Sequence, residues 1–205
     1  MKSLKRRVNL FLLEDGVMGT FSILWDKISY TFFYQWYYKK IFKKYGNNVR
    51  WGKHFRRLTI PKSVRISCPH LISIGDNNQF DEGVYLQCHF EGEGIEFNDN
   101  VRCNAHTHIQ AYSKIKIEEH VLIAPFCLLS SGDHGHDKDL PIVQQAHKQS
   151  GRITIGSGSW LGRNVAILGN VHIGCNCVLG ANTILKNKTF HNNSIIVGNP
   201  PKQVR

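Results

Sequence analysis

The sequence predicts an all-β protein built as a parallel solenoid, and three observations support this fold class. Aliphatic residues recur at every sixth position, small or β-branched residues follow them at a fixed offset, and the same register returns upstream after short slips. A helix completes a turn in 3.6 residues, so it would spread every sixth residue over different faces. Short strands joined by tight bends direct every sixth side chain inward, and the period therefore favours stacked β-coils.

The repeat is most regular in the C-terminal third of the chain. Its aliphatic positions are Ile155, Leu161, Ile167, Ile173, Leu179 and Leu185. Four positions after each of the first five come residues that suit a half-buried strand position, namely Ser159, Val165, Val171, Cys177 and Thr183. The register recurs upstream at Ile74, Phe80, Leu86, Phe97, Cys103, Ile109, Ile117, Ile123 and Leu129. We therefore predict a β-helix over residues 66–185, followed by a C-terminal tail over 186–205.

Positive charge is concentrated in residues 1–65, which form the third predicted region. They hold fifteen of the 26 Lys and Arg residues and three acids, for a net charge of +12, whereas residues 66–205 carry −1. Four of their hydrophobic residues are spaced four apart, namely Leu24, Ile28, Phe32 and Trp36. This spacing predicts a helical cap that packs on the solenoid. Aromatic rings beside lysines also suit a helix at an anionic membrane surface, and both interpretations stay open.

Composition excludes several classes of protein. With 41% hydrophobic and 20% charged residues, the chain of 205 residues suits a folded domain. No apolar run approaches the ~20 residues needed to cross a bilayer, and no cleavable leader is evident. The six cysteines lack C-x-x-C spacing, so we expect reduced thiols and a cytoplasmic protein, with residues 1–65 as its one candidate for contact with the inner membrane face. No motif for ATP, NAD or nucleic acid is present.

One insertion interrupts the repeat and is the predicted catalytic element. Leu129 and Ile155 are twenty-six residues apart, which is not a multiple of six, so a loop over residues 130–152 leaves the solenoid. It contains three histidines, His134, His136 and His147. Histidine exchanges protons near neutral pH, and a rigid scaffold fixes the geometry of the loops that it carries.

These features resemble the hexapeptide-repeat acyltransferases, above all the galactoside and maltose O-acetyltransferases. Residues 121–125, VLIAP, lead into a GDH triplet much as in those enzymes, whose catalytic histidine lies ten residues after the alanine. The interval from Ala124 to His134 is the same. The resemblance implies a left-handed β-helix of triangular section, a homotrimer and His134 as the base. Because this loop is two residues longer, His136 stays open as an alternative base.

The resemblance also implies residues that bind the two substrates. Asn104, twenty residues before Ala124, matches an asparagine that binds the acceptor, and Trp160 matches a tryptophan beside the active site. The ending GNPPKQVR resembles the family's closing pattern, in which basic residues lie near coenzyme A. Small residues at coil corners and nearby bases are thus candidates for an acetyl-CoA site, namely Gly162, Arg163, Gly180, Ala181, Lys186, Lys202 and Arg205. No metal is expected.

The function implied by the resemblance is acetyl transfer from acetyl-CoA to a sugar hydroxyl. The acceptor would belong to a bacterial capsular polysaccharide or to the O-antigen of lipopolysaccharide. An amino-sugar N-acetyltransferase stays open as an alternative, as does a non-catalytic scaffold. A γ-type carbonic anhydrase is a further alternative, in which three histidines bind zinc. The histidines available for such a site are His106, His108, His134 and His136.

Overall fold

Short parallel strands dominate the computed structural model, which describes residues 63–205 and the two-residue strand Arg50–Trp51. The only helices among these residues are two short 3-10 turns, Pro69–Leu71 and Ile142–Gln144. No helix in this part of the chain is long and apolar enough to cross a membrane. The predicted all-β class is confirmed, while the predicted helical cap lies almost entirely outside the described residues.

Three parallel sheets form the faces of the solenoid, and the chain visits them in turn. Sheet 1 contains, in spatial order, Arg50–Trp51, Ile72–Ile74, Ile95–Phe97, Ile115–Ile117, Ile153–Ile155, Val171–Ile173 and Thr189–Phe190. Sheet 2 contains Gln79–Phe80, Arg102–Cys103, Leu122–Ile123, Trp160–Leu161, Val178–Leu179, Ile195–Val197 and Lys202–Gln203. Sheet 3 contains Arg65–Ile66, Tyr85–Cys88, His108–Ala111, Leu128–Ser130, Ala166–Leu168 and Ile184–Lys186.

The core follows the six-residue register. All fifteen aliphatic, aromatic or cysteine positions predicted to point inward are no more than 1% exposed. The small residues four positions later are also fully buried, so the expectation that they would be half-buried is wrong. Each lies two residues before the next inward position, and the two-residue period of extended chain turns both side chains into the same narrow interior. Ser159 satisfies its buried hydroxyl there by donating to the carbonyl of Gly174 at 3.0 Å.

The parallel ladder continues beyond residue 185, where the sequence places the end of the β-helix. Thr189–Phe190 extends sheet 1, and Ile195–Val197 extends sheet 2. The buried side chains of Phe190 and Ile196 keep the core filled although Phe190 follows Leu185 after only five residues. The chain then reverses, and Lys202–Gln203 pairs antiparallel with Ile195–Val197.

Candidate active site

The predicted loop forms a β-hairpin at the corner between sheets 3 and 1. It leaves sheet 3 after Ser130, and its strands Gly132–His134 and His147–Gln149 pair antiparallel. His134 stands directly opposite His147 in this pairing, and the centres of the two imidazole rings are 4.4 Å apart. The pairing therefore fixes the backbone that carries the candidate base.

Hydrogen bonds from a buried serine fasten the root of the hairpin to the preceding coil. The Ser131 hydroxyl accepts the backbone N–H groups of Tyr112 and Ser113, at 3.0 and 3.1 Å, and donates to the carbonyl of Ser113 at 2.7 Å. The Ser131 carbonyl accepts the N–H of Ser150 at 2.9 Å, which closes the root. Serine suits this position because one hydroxyl both accepts and donates.

A stack of rings supports the hairpin from its N-terminal side. Tyr112 is only 8% exposed, and its hydroxyl lies 3.3 Å from Nδ1 of His147. The rings of His89 and Tyr112 stack with centres 5.1 Å apart. A side chain at Gly132 would collide with the Tyr112 ring, so glycine permits this close approach. His134 is thus held through His147 by groups from the two preceding coils.

His134 faces a cleft of about 220 Å³ on the outer surface of sheet 3. Gln110 and Ser130 line this cleft on its N-terminal side, and Lys186 lines it on its C-terminal side. The structure therefore places His134, the predicted catalytic base, in the same cleft as Lys186, one of the basic residues predicted to bind coenzyme A. The imidazole of His134 is exposed to the cleft, while its backbone N–H donates to Oδ1 of Asp133 at 2.9 Å.

His136 occupies a different environment from His134. It follows the paired strand, is exposed, and makes no hydrogen bond or ring contact within residues 63–205. Beyond it the loop is organised by Gln145, whose amide accepts the N–H of Asp137 at 2.6 Å and donates to the carbonyl of Leu140 at 2.7 Å. The geometry favours His134 over His136 as the group presented to a substrate.

The predicted acceptor residues lie on another side of the same chain. Asn104 lies at the corner between sheets 2 and 3, where its backbone N–H donates to the carbonyl of Ile123. Its side-chain amide makes no hydrogen bond within the described residues. Trp160 is 48% exposed on the outer face of sheet 2. His134 belongs to the corner between sheets 3 and 1, so a single chain does not place all three residues at one corner.

The remaining predicted coenzyme A residues are spread over the C-terminal coils. Gly162 and Gly180 lie at the corner between sheets 2 and 3 in two consecutive coils. Gly162 is followed by Arg163 and Gly180 by Ala181, and both of these following residues are exposed. The Arg163 guanidinium stacks 4.5 Å above the ring of Phe126. Lys202 and Arg205 are exposed on the strand and tail that cover the last coil, where Nε of Arg205 donates to the carbonyl of Asn193 at 3.3 Å.

The histidines considered for zinc do not form a ligand group in this chain. His106 stacks on Phe126 with ring centres 5.2 Å apart, and Nε2 of His108 lies 3.0 Å from Oε1 of Gln87. Within the described residues no three His, Cys, Asp or Glu side chains are arranged to hold a metal ion. The carbonic anhydrase alternative thus gains no support from the geometry of these side chains.

Comparison with known proteins identifies the family. Residues 152–187 match the model of the bacterial transferase hexapeptide, six repeats. An Escherichia coli (strain K12) protein, WbbJ, whose name assigns it to lipopolysaccharide biosynthesis as an O-acetyl transferase, is 31% identical over 142 residues, which are 65% of this chain and 71% of WbbJ. The chain belongs to the hexapeptide-repeat acetyltransferases. The galactoside O-acetyltransferase of the same strain is 31% identical to this acetyltransferase over 133 residues, 65% of this chain and 63% of that enzyme.

Solved structures share the fold of this acetyltransferase. A maltose O-acetyltransferase from Clostridium difficile 630 is 20% identical, with a TM-score of 0.56 over 100% of this chain and 84% of that chain. AntD, an N-acyltransferase from Bacillus cereus solved with dTDP and 3-hydroxybutyryl-CoA, is also 20% identical, with a TM-score of 0.67 over 82% of this chain and 87% of that chain. The parallel solenoid is consistent with the predicted left-handed β-helix.

The residues that support the hairpin of this acetyltransferase, Tyr112 above all, were not predicted from the sequence. A signal was present in the register slips. Leu86 and Phe97 are eleven residues apart, and Ile109 and Ile117 are eight apart, where the repeat requires six. Both insertions fall between sheets 3 and 1, the corner from which the hairpin leaves. Insertions that stack at one corner form a surface outside the regular coils. Here they supply His89 and Tyr112, whose rings support the hairpin.

Proposed function

We propose that this acetyltransferase moves an acetyl group from acetyl-CoA to a sugar hydroxyl, with His134 as general base. The observation that carries the proposal is His134 on a braced hairpin, facing a cleft that Lys186 also lines. The acceptor belongs to a bacterial capsular polysaccharide or O-antigen. The likeness to WbbJ supports this acceptor class, because that protein's name places it in lipopolysaccharide biosynthesis.

His134 acts twice in the proposed mechanism. A ring nitrogen accepts the proton of the sugar hydroxyl, and the resulting alkoxide attacks the thioester carbonyl directly. Backbone N–H groups stabilise the oxyanion of the tetrahedral intermediate. His134 then returns its proton to the sulfur of the leaving coenzyme A. Collapse of the intermediate breaks the carbon–sulfur bond and leaves the acetyl ester, so the step requires no metal and no covalent enzyme intermediate.

Three buried cysteines are unsuited to carrying the acetyl group, which favours direct attack over transfer through those thiols. Burial raises the pKa of Cys88 to about 12 and that of Cys127 to about 11. Burial also raises the pKa of Cys103. The thiolate is the nucleophilic form of cysteine, so these buried side chains are poor nucleophiles near neutral pH.

The residues of the C-terminal coils fit an acetyl-CoA site. Lys186, Lys202 and Arg205 are exposed cations that would hold phosphate groups through charge-assisted hydrogen bonds. Gly180 and Ala181 present little side chain at their corner, which leaves room for the pantetheine arm beside the backbone. Of these residues Lys186 lines the cleft with His134, and it would hold the donor on the C-terminal side of that cleft.

Replacing Lys202 and Arg205 together by alanine should raise the acetyl-CoA KM about tenfold and change the acceptor KM much less, because charge-assisted phosphate contacts are lost. Steady-state kinetics with each substrate varied in turn measure this. The matched control removes two lysines beside sheet 1, Lys114 and Lys116, and should leave the donor KM unchanged. An unaltered donor KM in the Lys202 and Arg205 variant would remove both residues from the site.

We also propose a homotrimer in which each active site lies between neighbouring subunits. The support is the separation, within one chain, of His134 from Asn104 and Trp160, since a neighbour can supply the residues of the other corner. Sedimentation equilibrium of the intact chain tests the assembly. A monomer that is fully active would exclude this arrangement.

Residues 1–65 are proposed to hold a cytoplasmic enzyme at the inner face of the membrane, because their net charge is +12. Vesicles with anionic lipid should sediment the intact protein at low salt and release it as the Debye length falls below about 10 Å. Each base near such a surface contributes only about 1 kcal/mol, and salt screens that attraction. Vesicles of neutral lipid are the control. Equal and negligible binding to anionic and neutral vesicles would reject the membrane proposal and favour packing of this segment on the solenoid.

A coenzyme A release assay across acceptor classes tests the proposed function. Neutral sugars, amino sugars and isolated bacterial surface glycans are each incubated with the enzyme and acetyl-CoA. Release that requires a glycan with free hydroxyls supports the proposal. Release with amino sugars alone would favour the N-acetyltransferase. If no acceptor class causes release of coenzyme A, a non-catalytic scaffold is favoured.

A further inference from the structure

Sheet 3 carries a row of planar side chains on its outer face, N-terminal to the cleft. We call this row the sheet 3 track, and its members are Arg65, Tyr85, Gln87, His108 and Gln110. Parallel pairing places Arg65, Tyr85 and His108 in one register column and the two glutamines in the next. The alternating residues Leu86 and Ile109 are buried, so the track residues point outward.

The members of the track contact one another along the sheet. The guanidinium of Arg65 lies 4.7 Å from the ring centre of Tyr85. The rings of Tyr85 and His108 stack at 4.8 Å with an interplanar angle of 10°. His108 is oriented by its contact with Gln87, and burial followed by the charge of Arg65 lowers the pKa of His108, which favours the neutral ring in this stack. The track is an ordered surface with a cation at its far end.

The track is continuous with the cleft that contains His134. Gln110 belongs to both, and the next strand of the sheet places Leu128 and Ser130, which also line the cleft, beside His108 and Gln110. Three strand spacings separate Leu128 from Arg65, or about 14 Å at the usual distance between paired strands. This is longer than a single sugar ring. Lys186, the one proposed donor residue that lines the cleft, lies on its opposite, C-terminal side, so the track is left for the acceptor.

The strands of this face favour a ligand with negative charge, while the cleft itself is lined by one carboxylate, Asp133. No described strand of sheet 3 contains Asp or Glu, whereas Arg65 lies at one end and Lys186 at the other. The outer face of sheet 1 differs, since Glu96 and Glu118 form ion pairs there. Glutamine amides suit sugar hydroxyls, and a guanidinium suits a carboxylate or phosphate.

We propose that the sheet 3 track binds an acidic glycan chain, so that the acceptor is an oligosaccharide or polymer with carboxylate or phosphodiester groups rather than a free monosaccharide. The chain runs from the hydroxyl at His134 across Gln110 and the Tyr85 and His108 stack to Arg65. The acetylation of that chain rests on the proposed function, whereas its binding does not. Arg65 is a specificity-determining residue in this arrangement and takes no part in the proton transfers.

Calorimetric titration of the full chain tests the binding surface. The probes are a galacturonate hexamer, a phosphodiester-linked glycan of similar length, and neutral maltohexaose. At least one acidic chain should bind tighter than maltohexaose, and the two acidic arms distinguish carboxylate from phosphodiester recognition. Arg65→Gln should weaken binding of that chain about tenfold, because a charge-assisted contact is lost. Lys116→Gln removes an equal charge from sheet 1 and should have no effect.

Several outcomes would overturn the track. The first is equal affinity for acidic and neutral chains. The second is that neither Arg65→Gln nor Tyr85→Leu changes the affinity for the acidic chain. The third is that Arg65→Gln changes the oligomeric state but not the affinity. Acetyl transfer to a galacturonate monomer with the same kcat/KM as to the hexamer would refute the track and leave the proposed function intact. Binding of an acidic chain that depends on Arg65, without transfer to any glycan, would refute the proposed function and leave the track.

Discussion

His134→Ala is expected to lower the turnover number by about 10²-fold or more, the usual size of a general-base contribution. The substitution removes the ring that faces the cleft and leaves the backbone pairing of Gly132–His134 with His147–Gln149 in place. We therefore expect little loss of folding, which circular dichroism and thermal unfolding of the variant measure. Initial rates of coenzyme A release at saturating substrates measure the loss of turnover.

His136→Ala is the matched control for this prediction. The same residue type is removed two positions away, from a side chain that makes no hydrogen bond or ring contact within the described residues. Its turnover should stay close to that of the unmodified chain. If His136→Ala is inactive while His134→Ala is nearly normal, the assignment of the base is wrong.

Mixed trimers should regain activity that neither of two inactive variants possesses. One variant carries His134→Ala, and the other carries Asn104→Ala together with Trp160→Ala. When a site takes its base from one subunit and its acceptor residues from the next, about one site in three of every mixed cyclic trimer contains intact residues from both. The regained activity is large relative to the background of either parent, because His134→Ala alone is expected to be nearly inactive.

Co-expression of the two variants with different affinity tags gives the mixed trimers after sequential purification. Each variant purified alone is the control for residual turnover, and the specific activity of the mixture is compared with both. A mixture no more active than its parents would mean that these residues do not combine across a subunit boundary. Full activity of the Asn104 and Trp160 double variant would remove both residues from the acceptor site.

The core of the solenoid was predictable because its signal is local. Residues such as Leu161 and Ile167 obey a six-residue rule that depends only on short strands and tight bends, and both are fully buried. The full burial of Ser159 was not predicted, because it depends on how narrow the interior is. That width is set by three sheets packing together and not by any short stretch of sequence.

The candidate site was only partly predictable. The interval from Ala124 to His134 predicted a candidate base, yet the support that Tyr112 gives to His147 joins residues thirty-five positions apart. Such a contact depends on which insertions stack at one corner, so the spacing of motifs alone does not contain it. His134 and His136 are the same residue type two positions apart, so the sequence does not distinguish them. They differ in strand pairing, because His134 pairs with His147 and His136 lies beyond the paired strand.

The central claim is that His134 catalyses the formation of an acetyl ester on a glycan hydroxyl. Mass spectrometry of an isolated surface glycan, after incubation with acetyl-CoA and either the unmodified chain or His134→Ala, tests it most directly. We predict an acetyl group that mild alkali removes, formed by the unmodified chain and reduced about 10²-fold or more with the variant. An alkali-stable amide as the only product, or equal ester formation by both proteins, would contradict it.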